Sequence, residues 1–391
     1  MISPVLPTYA RADVAFERGE GPYLFATDGR RFLDFSSGVA VTCLGHAHPH
    51  LVAALKSQAE KLWHCSNLYR IPGQERAAER LVEASFADTA FFCNSGAEAM
   101  ECAIKVARKY HAATGHPERQ RLICCTGSFH GRTLATLAAA GNQKYLEGFG
   151  SPVSPGFDHV AYGNLNEMRA AVTPETAGVV VEPVQGEGGL ATASNDYLEG
   201  LRALCDEFGL MLVFDEVQSG MGRTGKLFAH QWTKIAPDVM GLAKGLGGGF
   251  PVGACLATER AAQGMTPGTH GSTFGGNPLA MAATNAVLDV MLAPGFFDGV
   301  NRIAGLLRRR LEAIVAAYPA LFAEVRGKGL LVGLRCVVTN GDVVERLRRE
   351  GLLTVAAGEN VVRLLPPLII DESHVEEACG IIERVARQWT Q

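Results

Sequence analysis

The sequence has few of the features that mark proteins of nucleic acids, membranes or the secretory pathway. Its 391 residues carry a formal net charge of −4, and only 19% of them are charged. No basic tract is present, so nucleic acid is not an expected partner. No apolar run reaches the length of a membrane span, and no basic segment followed by an apolar one opens the chain. We therefore expect a soluble cytoplasmic protein with no membrane partner.

Disulfides are also not expected, although the chain has ten cysteines. The Cys-x-x-Cys spacing is absent, and the cysteines stand in apolar or strand-like settings such as FFCNSG and LICCTG. Such settings are typical of reduced thiols that pack as small hydrophobic side chains. Hydrophobic residues make up 47% of the chain, which at this length predicts one large α/β domain and a smaller one.

The strongest chemical signal lies between residues 211 and 253. The apolar run MLVF ends in Asp215, and a second run, DVMGLA, ends in Lys244 before a glycine cluster. Open α/β sheets bind ligands at strand ends, so Asp215 and Lys244 can meet at one edge. A carboxylate for a ring nitrogen and a desolvated amine for an aldehyde are what pyridoxal phosphate (PLP) requires. The plainer alternative is that Asp215 caps a turn and Lys244 is solvated.

Two other patterns compete with this interpretation. Residues 220–226 read GMGRTGK, which matches a phosphate-binding P-loop until Leu227 stands where Ser or Thr would hold magnesium. A P-loop protein would bind ATP with magnesium, and it is kept as a remote alternative. His46, His48 and His50 alternate in GHAHPHL, but Pro49 and the turn-like setting favour loop histidines over a metal site. No metal is expected.

Two turns upstream carry groups suited to anions and rings. The strand FFC leads into Asn-Ser-Gly-Ala, where a helix begins, and a helix N-terminus suits a phosphate. An ordinary Ser cap is the alternative for Ser95. Phe129 and Arg132 follow the strand LICC, where an aromatic ring can lie against a planar ligand and an Arg fork can bind a carboxylate. A core Phe and a surface Arg are the alternatives.

The stretch from 211 to 253 resembles the signature of the class III (ornithine-type) aminotransferases. The resemblance rests on DEVQ, GRTG, the Pro-Asp before the second strand and KGLGGG, and FHGRT matches a further loop of the family. It implies that Lys244 is the Schiff-base lysine, that Asp215 pairs with the pyridine nitrogen, and that Gln218 reaches the ring hydroxyl. Val217, in the same segment, counts as a further cofactor contact.

The resemblance assigns roles to the upstream turns as well. It implies that Ser95, Gly96 and Ala97 bind the cofactor phosphate. Phe129 would stack on the pyridine ring, and Arg132 would bind a substrate carboxylate. His130 is expected to be structural.

Four further residues receive roles from the resemblance alone. Glu187 matches the family's switch residue, which would neutralise Arg363 when the amino donor binds and release it for a diacid. Ser272 would lie near the substrate, and Thr273 would bind the phosphate in the neighbouring subunit's site, while a plain loop hydroxyl is the alternative for Ser272. A homodimer with shared active sites is therefore expected.

Glu182 is expected to be structural, tying the lysine or the DEVQ region into a hydrogen-bond network.

The fold implied by the resemblance is the aspartate-aminotransferase-like PLP fold type I. This fold has a mostly parallel seven-stranded sheet with helices on both faces and a smaller α+β domain. We place the large domain at residues 45–290. Short alternating strands near the N-terminus and amphipathic helices after residue 296 place the small domain at residues 1–44 and 291–391.

The reaction implied is a ping-pong transamination with 2-oxoglutarate. GVAVTCLGH, SNLY and FHGRT most resemble the bacterial members that act on N2-acetylornithine in arginine synthesis. Succinyldiaminopimelate is a plausible second donor, and succinylornithine, ornithine or 4-aminobutyrate are alternatives. Further alternatives are a catalytically silent PLP-fold binding module, a racemase and a decarboxylase. A Glu187–Arg363 pair favours an enzyme with two alternating substrates over these.

Overall fold

The computed structural model describes residues 4–150 and 153–390. Its strands are β1 (Phe16–Glu20), β2 (Tyr23–Ala26), β3 (Arg31–Asp34), β4 (Thr89–Cys93), β5 (Arg121–Cys125), β6 (Phe157–Val160), β7 (Thr176–Val181), β8 (Val184–Gln185), β9 (Ala191–Thr192), β10 (Met211–Asp215), β11 (Val239–Leu242), β12 (Gly253–Ala257), β13 (Phe322–Lys328), β14 (Leu331–Cys336), β15 (Leu352–Leu353), β16 (Val355–Ala357) and β17 (Val361–Leu364).

Helices surround these strands and connect them. They are α1 (Ser37–Ala40), α2 (Pro49–Ala59), α3 (Pro72–Glu83), α4 (Gly96–Ala113), α5 (Leu134–Ala140), α6 (Gln143–Leu146), α7 (Leu165–Ala170), α8 (Asn195–Phe208), α9 (Glu259–Ala262), α10 (Pro278–Met291), α11 (Phe296–Ala317), α12 (Asn340–Arg349) and α13 (Glu372–Thr390). Single 3-10 turns span Ala229–Trp232 and Lys244–Leu246. A few residues of the predicted domains lie outside the described residues. They are residues 1–3 and 391 of the small domain and residues 151–152 of the large domain.

A seven-stranded sheet forms the centre of the fold, in the order β4-β12-β11-β10-β7-β5-β6. Strand β12 pairs antiparallel with both of its neighbours, and the remaining pairs are parallel. β7 and β10 are buried along their whole length and almost wholly apolar, because helices cover a parallel sheet on both faces. The predicted fold, a mostly parallel seven-stranded α/β sheet, is confirmed.

Two four-stranded sheets lie outside the central one. The N-terminal strands β1, β2 and β3 pair antiparallel as predicted, and β15 adds to β3 in parallel. Strands β13, β14, β17 and β16 form an antiparallel sheet that brings residue 363 next to residue 333. The long amphipathic helices α11 and α13 pack together beside it. The C-terminal part is therefore an α+β unit, as the sequence predicts.

The cysteines and the helices give two further results. All ten cysteines lie within the described residues, all are free, and nine are buried. No single helix of the described residues is long and apolar enough to cross a membrane. Helices α10 and α11 together have the length and composition of a membrane span, but the pair is bent by 74°.

Candidate active site

A cavity of about 390 Å³ opens at the carboxyl ends of β4, β5, β7, β10 and β11. These strands all run in the same direction, so the loops that follow them meet at one edge of the sheet. The lining residues are Val41, Asn94, Ser95, Gly96, Ala97, Phe129, His130, Gly131, Arg132, Glu182, Asp215, Val217, Gln218, Ala243, Lys244, Gly249, Phe250, Pro251 and Val252. Nine of the thirteen residues that the sequence assigned to the site therefore meet in one cavity.

Lys244 stands directly after β11, in a backbone conformation that is rare for a side chain larger than glycine. Its φ is +47°, in the left-handed region, which is typical of residues held by their surroundings at functional sites. Burial, and after it the Arg363 cation, lower the pKa of Lys244 against the opposing effect of the nearby carboxylates, and the net result is a pKa of about 8. An amine with this pKa is partly neutral near neutral pH, as a nucleophile or proton acceptor must be.

Asp215 ends β10 and is buried at the floor of the cavity. Its Oδ1 accepts a hydrogen bond from the backbone N–H of Val217 at 2.9 Å, and its Oδ2 lies 2.7 Å from Nδ1 of His130. Burial lowers the pKa of His130, but the hydrogen bond and the charge of Asp215 raise it overall. His130 therefore supports the carboxylate directly, a contact that the sequence prediction of a structural histidine did not identify.

The N-terminus of α4 faces the same cavity. Ser95 caps the helix by accepting a hydrogen bond from the N–H of Glu98, so the alternative of an ordinary cap holds for this hydroxyl. Gly96 is required sterically, because a Cβ here would lie 2.6 Å from Cγ1 of Val217. The positive end of this 18-residue helix therefore faces the cavity, where it suits an anion.

An aromatic pair holds the guanidinium of Arg132. The Arg132 Cζ lies 4.0 Å from the ring centre of Tyr145 and 5.3 Å from that of Phe129. The two rings meet edge to face at 6.3 Å. Stacking keeps the edge of a guanidinium free for a carboxylate. Tyr145 was not among the predicted site residues.

Glu187 and Arg363 form an ion pair across the distant segments that carry them. Nη1 of Arg363 lies 2.8 Å from Oε1 of Glu187, and Arg363 is 1% exposed whereas Glu187 is 30% exposed. The same nitrogen donates to the carbonyl of Gly186 at 2.9 Å and to Oε1 of Gln218 at 3.0 Å. The arginine thus joins the switch candidate to a cavity residue, while the switching itself stays a prediction.

Glu182 follows β7 and is buried between these groups. Its Oε1 accepts from the N–H of Phe129 at 2.9 Å, and its Oε2 accepts from the N–H of Gly186 at 3.1 Å. The sequence predicted a hydrogen-bond network that would tie in the lysine or the DEVQ region. The carboxylate instead joins the two substrate-side segments, because β7 lies between β5 and β10 in the sheet.

Ser272 and Thr273 do not line the cavity. The hydroxyl of Ser272 accepts from Nδ2 of Asn94 at 3.1 Å, at the rim, and Thr273 is exposed. Their predicted roles at a neighbouring subunit's site need a second chain.

The P-loop-like segment and two of the three alternating histidines, His46 and His50, have structural partners. Arg223 is buried and donates to the carbonyls of Leu330 and Pro366, and Nζ of Lys226 donates to the carbonyl of Gln231. Within the described residues, no group of three or more His, Cys, Asp or Glu side chains is arranged to hold a metal ion. His46 instead lies 2.8 Å from Asp34, and His50 lies 2.9 Å from Asp289.

A second cavity lies on the outer side of the Tyr145 ring and the Glu187 turn. It is lined by Thr126, Gly127, Ser128, Asn142, Tyr145, Tyr162, Gln185, Glu187, Gly188, Ala191, Asn340, Ala356, Ala357, Gly358 and Glu359. This lining contains neutral polar side chains and two glutamates, with no lysine, arginine or histidine.

The main cavity offers the groups that a phosphorylated pyridine aldehyde requires. An amine, a carboxylate and a helix N-terminus surround it, and Phe129 and Val217 supply apolar walls. Nε2 of His130 is buried and has no hydrogen-bond partner within the described chain. The residues therefore fit PLP, for which Asp215 would face the ring nitrogen and Lys244 the aldehyde.

Comparison with known proteins gives a consistent result. The profile of the family described as Aminotransferase class-III matches residues 7–386. The chain is 60% identical to acetylornithine aminotransferase 1 of Bradyrhizobium diazoefficiens, over 97% of this chain and 94% of that protein.

Solved structures are similar over nearly the whole chain. The crystal structure of N-acetylornithine aminotransferase from Stenotrophomonas maltophilia matches with a TM-score of 0.85 at 37% identity, over 98% of each chain. The ornithine aminotransferase of Toxoplasma gondii, in a structure with partial occupancy of PLP at its active site, matches with a TM-score of 0.93 at 32% identity, over 98% of this chain and 92% of that one.

Proposed function

The chain belongs to the class III aminotransferase family, and we propose that it transfers the δ-amino group of N2-acetylornithine to 2-oxoglutarate. The products are N-acetylglutamate 5-semialdehyde and glutamate, in a step of arginine biosynthesis. The observation that carries the proposal is the meeting of Lys244, Asp215 and Arg132 in one cavity of a chain so similar to named acetylornithine aminotransferases. Both the family and the Toxoplasma gondii structure imply PLP as the cofactor.

Each residue has a physical task in this proposal. PLP, when bound, supplies an aldehyde for the amino group and a ring that withdraws electrons from the carbon bearing it. Lys244 would hold the aldehyde group, and its Nζ would accept the proton that leaves the substrate carbon. Asp215 would stabilise a protonated ring nitrogen, and the turn of Ser95, Gly96 and Ala97 would hold the phosphate. Val217 and Gln218 add the remaining contacts of this chain.

In this proposal, Arg132 and Arg363 bind the substrate carboxylates. Arg132 binds the carboxylate of either substrate, while Glu187 neutralises Arg363 during the donor half-reaction. When 2-oxoglutarate enters, its second carboxylate displaces Glu187 from Arg363. The alternation explains how one site accepts a donor and a diacid in turn.

The second cavity supports a neutral acyl group on the donor. An acetamide is uncharged, whereas a succinyl group brings a further carboxylate toward Glu359, in a lining that has no basic side chain and in which Glu187 is already paired with Arg363. Like charges in a partly desolvated cavity repel one another. We therefore propose that acetylated donors are preferred over succinylornithine and succinyldiaminopimelate.

A homodimer with shared sites completes the proposal. Trp63, Leu68, Tyr69 and Phe274 are exposed, and the segment that holds the first three packs on the loop of Ser272 and Thr273 through bonds from Nδ2 of Asn67. This exposed apolar surface lies beside Ser272 and Thr273, which do not line the cavity of their own chain, and such a surface suits a subunit interface. Mixing inactive Lys244→Ala and Thr273→Val proteins, followed by dissociation and reassociation, should restore activity that neither has alone.

Two other parts of the assignment remain proposals. We divide the chain into a large domain at residues 45–290, which contains the central sheet, and a small domain at residues 1–44 and 291–391. We also place the enzyme in the cytoplasm, a reducing compartment that suits its ten free cysteines.

The direct experiment is a donor panel with the PLP-loaded enzyme and 2-oxoglutarate, in which glutamate formation is measured. N2-acetylornithine should give the highest kcat/KM, above succinylornithine, succinyldiaminopimelate, ornithine and 4-aminobutyrate. The Lys244→Ala protein is the control for background turnover. An enzyme that uses 4-aminobutyrate and ignores N2-acetylornithine would contradict the proposal.

A further inference from the structure

The buried carboxylate of Glu182 contacts both substrate-side segments of the site. It is 4% exposed, and each of its oxygens accepts one backbone N–H, from Phe129 and from Gly186. No lysine or arginine pairs with it among the ion pairs of the described residues, and His130, whose charge it feels, is bonded to Asp215. Its hydrogen bonds are therefore all directed to loop backbone.

The two N–H groups belong to the segments that carry the charged substrate-binding candidates. Phe129 begins the loop that ends in Arg132, and the two side chains are also in contact. Gly186 directly precedes Glu187, and its carbonyl accepts from Arg363. One buried side chain thus fixes the distance between Arg132 on one side and the Glu187–Arg363 pair on the other.

The surroundings of Glu182 shift its pKa in opposite directions. Burial, and after it the charge of Asp215, raise the pKa of Glu182, whereas His130 and the two N–H donors lower it, and the net result is a pKa of about 7. Lys244 is affected by the same carboxylate from the loop after β11, and the Tyr162 hydroxyl, in the turn after β6, and the Cys125 thiol of β5 also interact with its charge. A small change in pH near neutrality therefore changes its protonation.

Protonation has a defined consequence for the hydrogen bonds. A carboxylate accepts strongly at both oxygens, whereas the hydroxyl oxygen of a neutral carboxyl group is a much weaker acceptor. Both oxygens of Glu182 accept from N–H groups, so protonation of either oxygen replaces a charge-assisted hydrogen bond by a weak one. The loop of Arg132 or the turn of Glu187 is then held less tightly.

We propose that Glu182 is a positioning residue whose ionised form holds Arg132 and the Glu187–Arg363 pair at the separation that a dicarboxylate requires. Dicarboxylate affinity then depends on the ionisation of Glu182. The inference rests on the proposed function for the identity of the acceptor as a dicarboxylate, and on the observed contacts for the role of Glu182.

The test is binding of glutarate, an unreactive dicarboxylate, to the PLP-loaded enzyme by calorimetry, from about pH 6 to about pH 8.5, on both sides of the pKa of Glu182. In the wild-type enzyme, glutarate affinity should fall by about tenfold as the pH is lowered through this range, the effect of losing one hydrogen bond to a charged group. Glu182→Gln, whose amide accepts from only one N–H, should bind weakly at every pH.

Glu216→Gln is the matched control. Glu216 is a buried carboxylate at the next strand end that likewise accepts from loop N–H groups, those of Ala229 and His230, but it does not line the cavity. This variant should lose stability and keep the wild-type pH dependence of glutarate binding. A Glu182→Gln enzyme that keeps the wild-type affinity and pH dependence would overturn the proposal.

Two further outcomes keep the test decisive. If Glu182→Gln does not fold, Glu182→Asp retains two acceptor oxygens on a shorter side chain and should bind glutarate more weakly while keeping a pH dependence. Wild-type affinity that does not change with pH would overturn the inference by itself. An enzyme that shows the pH dependence but does not use N2-acetylornithine would contradict the proposed function and support the role of Glu182.

Discussion

Removing the carboxylate of Glu187 should make the enzyme bind dicarboxylates more tightly. On the switch that we propose, the second carboxylate of 2-oxoglutarate has to displace Glu187 from Arg363, which lies 2.8 Å from it in the structure. The free energy of that ion pair is therefore subtracted from the binding free energy of the diacid. In Glu187→Gln this cost is largely removed, and Arg363 is ready for the ligand.

The structure sets the size of the effect. Arg363 is almost fully buried, whereas Glu187 is 30% exposed, so the pair is stronger than a surface ion pair but weaker than a fully buried one. A hydrogen bond to a charged group contributes about 1.5–3 kcal/mol. This range corresponds to an increase in dicarboxylate affinity of about tenfold to a hundredfold. The free enzyme should lose stability, because Arg363 keeps only its bonds to Gly186 and Gln218 and a weaker bond to Ala356.

The assay is glutarate binding by calorimetry, together with the KM for 2-oxoglutarate. Glu359→Gln is the control, because Glu359 lines the second cavity without pairing with Arg363, and this variant should behave as the wild type. Unchanged or weaker glutarate binding in Glu187→Gln would refute the view that Glu187 competes with the diacid for Arg363.

Three further predictions follow from the site. In the apoenzyme, the rate of PLP attachment should rise with pH and level off above about pH 8, where Lys244 becomes neutral; a rate that keeps rising to the pKa of an ordinary lysine would contradict its burial. Asp215→Asn should fold and bind PLP but lose about a hundredfold or more in kcat, measured as glutamate formation, because the carboxylate charge is gone; an unchanged kcat would remove Asp215 from catalysis. Tyr145→Ala should raise the KM of both substrates about two- to fivefold through lost stacking on Arg132, whereas Tyr145→Phe should leave both KM values unchanged; equal effects would assign the role to the hydroxyl.

The sequence predicted the site residues that stand at or just after the ends of apolar strands. Asp215 and Lys244 each end an apolar run, and parallel strands bring such ends together whatever the order of the strands. Gly96 and Phe129 follow strands in the same way, so their meeting at one edge was predictable. The partnership of Glu187 and Arg363 came from the family resemblance, because no local signal joins a turn after β7 to a strand in another sheet.

Contacts that depend on strand order or on distant loops were missed. His130 reaches Asp215 because its loop crosses the end of β7, which only the order β10-β7-β5 reveals. Tyr145 reaches Arg132 through a short helix that has no apolar periodicity to place it. The burial of Arg223 depends on carbonyls of Leu330 and Pro366, which come from distant segments.

The central claim is that Lys244 and Asp215 make this cavity a PLP site for an acetylated ω-amino donor. The most direct measurement is the visible absorption of the purified, PLP-loaded protein before and after adding N2-acetylornithine, with Lys244→Ala beside it. We predict a visible cofactor band that N2-acetylornithine abolishes and 2-oxoglutarate restores, and a mutant in which the two substrates no longer interconvert the forms. A protein with no cofactor band after incubation with PLP, or a band that N2-acetylornithine leaves unchanged, would contradict the claim.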